Sequence, residues 1–145
     1  MPDDEPLLDH QERRRWAEAG GAARSSAAVQ ADAGFHQWAC FMAEQASQLV
    51  VKGLLHGLGA GAWGHDLVSL GRAVEEATSA GLPDDVAASL RRLSRFYIPT
   101  RYPDAHPGGA PGEHFGPDDA VAALTDADTV ADFVERLWRD LGGGG

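Results

Sequence analysis

Side chains able to hold anions, stack on flat groups and move protons are concentrated in one short stretch, Tyr97-Ile98-Pro99-Thr100-Arg101-Tyr102-Pro103-Asp104-Ala105-His106. Pro99 and Pro103 remove backbone donors and push Ile98 and Tyr102 toward extended conformations, so coiling is expected to stop here. The prolines also leave the segment little backbone freedom to lose on folding. A purely structural role competes with a chemical one. Tyr97 and Tyr102 could plug the end of a helical core, with Arg101 neutralising a nearby carboxylate or a helix C-terminus.

The elements that must position this stretch are helical. Asp9 is a suitable N-cap for a first helix from about His10 to about Gln30, with Glu12 at the capping-box position and Trp16 as its core anchor. Gly20-Gly21 weakens that helix, so it either bends there or packs closely against a neighbour. From Phe35, a second helix repeats Trp38, Ala39, Met42, Ala46, Leu49, Val50, Gly53 and Leu54 at three-and-four spacing, which predicts a central helix. Glu44, Gln48 and Lys52 follow one another at four-residue steps on another of its faces, in the acid-before-base order that supports a helix.

Trp63-Gly64-His65-Asp66-Leu67 opens a third helix reaching about Ala80, capped by His65 or Asp66. A fourth begins at Asp84 or Asp85 and delivers the Tyr97–His106 stretch at its C-terminal end. A long Gly- and Pro-rich loop over 105–117 precedes a fifth helix from Pro117 to Leu141. No segment alternates as a strand does. The expected fold is all-α, an antiparallel up-and-down bundle of four to five helices. Residues 1–8 read as a disordered acidic lead-in, 9–141 as the bundle and 142–145 as a disordered glycine tail.

Composition narrows the function. The chain has 145 residues, enough for one core without staples, and a formal net charge of -10. That charge excludes nucleic-acid binding by general electrostatic attraction, so any such contact must be local. Positive charge is clumped in Arg13, Arg14 and Arg15, and again in Arg91, Arg92, Arg95 and Arg101. The single cysteine, Cys40, falls in an apolar run and reads as a buried small hydrophobe. No apolar run is long enough to span a bilayer, and the N-terminus is acidic where a secretory signal is basic. A cytoplasmic protein without membrane contact is expected. There is no Glu-x-x-His pair, zinc knuckle or phosphate-binding Gly-x-x-x-x-Gly-Lys loop, so no metal and no cofactor are expected. A nucleotide, if bound, must use Arg101, Lys52 and the aromatics.

The order of the run Phe35–Ala46, Lys52, Trp63–Leu67 and then Tyr97-Ile98-Pro99-Thr100-Arg101-Tyr102-Pro103-Asp104 resembles the HEPN family of helical domains over about residues 9–141. That resemblance implies a four- to five-helix bundle that dimerises, often encoded beside a minimal nucleotidyltransferase as a toxin and antitoxin pair. It also implies, for active members, a metal-independent RNase using an arginine and a histidine four to six residues apart. Arg101 and His106 match, with four residues between them, and become the candidate catalytic pair. A histidine can take a 2′-hydroxyl proton or protonate the leaving 5′-oxygen, and a guanidinium can hold the scissile phosphate. Tyr97, Tyr102, Asp104, Lys52 and Arg95 are the candidate substrate-binding residues. The sequence departs from the active pattern at Tyr102, where a small polar residue is usual and where the change could direct Arg101 elsewhere. Gly108 replaces a tyrosine that some members carry. The alternative is a non-catalytic nucleotide-binding or protein-interaction module with the same partners: a second copy, a nucleotidyltransferase, and RNA or a nucleotide. Of the other histidines, His65 reads as a cap, His36 as core, and His114 as a loop residue able to come near the site.

Overall fold

The computed structural model describes residues 7–144, so residues 1–6 of the lead-in expected over 1–8, and Gly145 of the tail, lie outside the described residues. Five helices follow in order: α1 (His10–Asp32), α2 (His36–Gly57), α3 (Leu67–Thr78), α4 (Asp84–Ser94) and α5 (Pro117–Asp140). Two short 3-10 turns, Pro103–Ala105 and Pro111–His114, lie between α4 and α5, and no strand occurs among the described residues. The chain is an all-α bundle, with helix ends within two residues of those expected from caps and periodicity.

Local chemistry accounts for most of the boundaries. Asp9 caps α1 by accepting from the Glu12 amide at 3.0 Å. The reciprocal half of the capping box is missing, because the Asp9 amide donates to Gly57 O and the Glu12 carboxylate takes Trp16 Nε1–H and Arg15 instead. Asp66, not His65, caps α3 through the Val68 amide. At the start of α5 the Asp119 carboxylate accepts the Gly116 amide at 2.8 Å.

α2 is the hub and packs against each of the other four helices. The link from Asp9 N to Gly57 O ties the start of α1 to the end of α2, which makes the pair an antiparallel hairpin closed by a tight turn at Gly34, φ +87°. The apolar core lies on the other side of α2. Leu54 and Leu55 meet Leu67 and Leu70 of α3, Leu90 and Leu93 of α4, and Val130 and Val134 of α5, all buried.

α1 supplies no side chain to that core. It lies against α2 through Gly20, Ala23 and Ala27, and its Trp16 is only half-buried, stacked on His56 at 4.7 Å. The expectation of Trp16 as a core anchor is corrected: small residues bring the two backbones so close that a large ring is excluded from between them. Trp38, placed on the core face by spacing, is 40 % exposed at the edge of α2.

α5 binds much of the basic charge. Arg13, itself buried, pairs with Glu135 at 2.7 Å, and Arg24 forks onto Asp128. Arg92 forks onto the buried Asp126, which also accepts the Ser89 hydroxyl. Two of the seven clumped arginines, Arg13 and Arg92, therefore hold the acidic last helix to the bundle.

Candidate functional site

The chain does not stop coiling at Ser94. Hydrogen-bonded turns continue through Arg101, with the Arg101 amide donating to Ile98 O at 3.1 Å and the buried Thr100 hydroxyl to Phe96 O at 2.6 Å. Pro99 and Pro103 permit this because the three-residue turns use the amides of Arg101, Ala105 and His106, and Pro103 opens a 3-10 turn where its missing donor is not needed.

These turns lay Arg101 on α2. Its guanidinium carbon stands 4.5 Å from the Phe41 ring, 4.5 Å from Tyr97 and 5.0 Å from Tyr102. Nε and Nη2 both donate to the Tyr97 carbonyl, at 2.9 and 2.6 Å. The group is fixed by three aromatic faces and a fork onto its own turn. His65 stacks on the outer side of Tyr97 at 3.9 Å with the rings 7° from parallel. Tyr102 and Trp38 remain partly exposed, at 49 % and 40 %. Arg101 occupies an open shelf, and the cleft of about 310 Å³ between α1 and α5 is instead lined by His10, Arg13, Arg14 and Trp138.

Glu44 is the residue the spacing argument misplaced. It sits three residues beyond Phe41 on the same face of α2, and it is fully buried. The expected helix-supporting acid-before-base pairing of Glu44 does not form as an ion pair among the described residues. Its carboxyl accepts from the side-chain amides of Gln45 and Gln48 and forms no ion pair among the described residues. Burial pushes it up to about 7, opposed in part by those amides and by the positive charges of Arg101 and Lys52. The sequence signal was the Glu44, Gln48, Lys52 ladder. One turn away on the same helix, Phe41 is covered by Arg101 and Tyr97.

His106 belongs to a different set of contacts. Its Nε2–H donates to Pro99 O at 2.6 Å, and its ring lies parallel to His114 at 4.1 Å with the edge of Phe115 at 6.1 Å. His114 in turn donates to Gly108 O. Arg101 and His106 have no hydrogen-bond or ring partner in common among the described residues. Of the sequence candidates, Tyr97, Tyr102 and Arg101 are brought together, and half-buried Lys52 lies close enough for its charge to act on Glu44. Asp104 and Arg95 are exposed and make no side-chain hydrogen bond or ion pair among the described residues.

His36, expected in the core, is half-buried with an unpartnered Nδ1. Cys40 is buried as expected, and burial pushes its thiol up to about 12, which leaves it unreactive at neutral pH. No group of three or more His, Cys, Asp or Glu is placed to hold a metal, and no helix is long and apolar enough to cross a membrane, among the described residues.

Comparison with known proteins agrees with this architecture. The model of a family described as HEPN domain matches residues 14–137. Among solved structures, the protein TT1696 from Thermus thermophilus is similar with a TM-score of 0.82 and 36% identity, over 86% of this chain and 97% of that one. An archaeal HEPN homologue has a TM-score of 0.72 and 27% identity, over 86% and 95%. A HEPN domain protein from Thermotoga maritima has a TM-score of 0.66 and 25% identity, over 86% and 98%. No curated protein matches the chain.

Proposed function

The chain belongs to the HEPN domain family, and from that premise we propose that it is a non-catalytic binding module for a phosphate-bearing base, a nucleotide or a short single-stranded RNA segment. Arg101 and Lys52 hold the phosphate, and the exposed rings of Tyr102 and Trp38 stack the base. The observation that carries this reading is the Arg101 fork. Two guanidinium nitrogens are committed to the Tyr97 carbonyl, while Nη1 makes no hydrogen bond among the described residues. A guanidinium held this way still offers both Nη1 hydrogens and the second Nη2 hydrogen to an anion, at little further entropic cost. It makes no hydrogen bond to His106 among the described residues.

A second reading, the endoribonuclease toxin, is favoured by the four-residue interval between Arg101 and His106 and by the partial exposure of both. In it, His106 Nδ1, the nitrogen not bonded to Pro99 O, would exchange the proton with the 2′-hydroxyl. Both readings take a second copy of the chain and a minimal nucleotidyltransferase as partners. The exposed Phe35, Trp38, Ile98 and Tyr102 supply apolar surface of the kind such contacts use.

Two probes separate the readings: ATP, and a 2′-O-methyl oligoadenylate that lacks the hydroxyl a nuclease of this kind needs. Binding of both is expected by fluorescence anisotropy or calorimetry, weakened about tenfold or more by Arg101→Ala and less than about twofold by His106→Ala, a difference of at least about 1 kcal/mol. Unmodified RNA is expected to stay intact, and induced expression to leave growth and total RNA unchanged. RNA cleavage lost in both Arg101→Ala and His106→Ala would replace the binding reading with the nuclease.

A further inference from the structure

Glu44 sits one turn of α2 beyond Phe41, the ring over which the Arg101 guanidinium stands at 4.5 Å, and is not one of the groups proposed to touch the ligand. Its carboxyl is fully buried, and its hydrogen-bond partners are the neutral amides of Gln45 and Gln48. The cations acting on it are Lys52 from its own helix and Arg101 from the turn after α4. Neither is within ion-pair distance among the described residues, and Arg101 spends its fork on Tyr97 O. The other titratable groups at the shelf are Tyr97, against Arg101, and His65, stacked on Tyr97 from the segment before α3. Among the described residues, no side chain of α1, α3 or α5 hydrogen-bonds or pairs with the Glu44 carboxyl.

Resting on the binding reading above, we propose that an anion held by Arg101 and Lys52 is taken up together with a proton, and that Glu44 is the group that receives it. An ionised Glu44 would face the ligand's negative charge from within the bundle and compete with it for the same two cations. In a position removed from water that repulsion is weakly screened. Protonation leaves a neutral carboxylic acid that Gln45 and Gln48 can still bond, and frees the field of Arg101 and Lys52 for the ligand. The coupling is reciprocal. Whatever factor the ligand adds to the proton affinity of Glu44, the proton adds to the affinity of the site for the ligand. Because burial already sets this carboxyl near neutrality, the exchange falls within a pH range where the protein can be measured.

The probe is the 2′-O-methyl oligoadenylate, whose phosphodiesters and adenines do not titrate between pH 6 and pH 9. Wild type is expected to bind about tenfold more tightly at the lower end of that range for each unit by which the ligand raises the Glu44 carboxyl. Glu44→Gln is expected to abolish the pH dependence, whereas His65→Gln keeps the ratio between the two pH values. Calorimetry of wild type near pH 7.5 in two buffers of different ionisation enthalpy is expected to report net proton uptake on binding, which covers the case of a poorly folding Glu44→Gln. Binding that needs Arg101 but occurs without proton uptake, or a pH ratio that disappears in His65→Gln and persists in Glu44→Gln, would overturn this inference and leave the binding reading intact. Absence of binding at every pH would remove both.

Discussion

Glu44→Gln is expected to stabilise the protein at pH 8 by about 3 kcal/mol relative to wild type, and to have almost no effect below pH 4.5. The magnitude follows from the distance between the ordinary glutamate value of 4.5 and the value of about 7 in the fold. Between those values the native state holds a proton that the unfolded chain has released, so wild-type stability falls as the pH rises through this window. Above about 7 both states are ionised, and the native state carries a buried carboxylate with only amide partners. Glutamine has nearly the same shape and never ionises. Urea midpoints of the two proteins at pH 5 and pH 8 measure the effect, and the comparison cancels every other carboxylate in the chain. Parallel stability profiles would show that Glu44 is solvated in the native state, and the account of its burial would fail with them.

This buried acid also marks where sequence reasoning runs out. The five helices were legible because their determinants are local. The apolar repeat of α2, the Asp9 cap of α1, and the Gly81-Leu82-Pro83 break before α4 each act within a turn or two of the residues they shape. The surroundings of Glu44 include the charge of Arg101, more than fifty residues later in the chain. At four-residue spacing from Gln48 and Lys52 nothing local marks it as buried, and the packing of Tyr97 and Arg101 on Phe41, one turn away, comes from a remote part of the chain.

The same limit applies to charge. Arg13 and Arg92 look like members of free basic clumps, and it takes the return of α5 to bring Glu135 and Asp126 to them. At the site, the Arg101–His106 interval was readable, as was the unusual Tyr102 directly after the arginine. The stacking of His106 on His114 was not readable, because it depends on how two 3-10 turns fold the intervening loop.

A last expectation concerns the glycines that let α1 approach α2. Gly53→Ala is expected to destabilise the protein by about 2 kcal/mol, an overpacking cost of about 3 offset by about 1 from alanine's better helix propensity. A Cβ at position 53 would lie 2.6 Å from Trp16 Cβ, an atom bonded directly to the α1 backbone. No rotamer change can relieve that contact, so α1 as a whole must shift. Such a shift would pull on the Asp9 to Gly57 link and on the Arg13–Glu135 and Arg24–Asp128 pairs that fasten α1 at its other contacts. Gly21→Ala is the internal control. Position 21 is exposed on the same hairpin with nothing within 4 Å of an added Cβ, so the propensity gain of up to about 1 kcal/mol is expected to appear uncancelled. Thermal unfolding of the two variants therefore separates in opposite directions. Equal stabilisation by both would mean that α1 stands off from α2, and that the absence of any α1 side chain from the core has some other cause than the closeness of the two backbones.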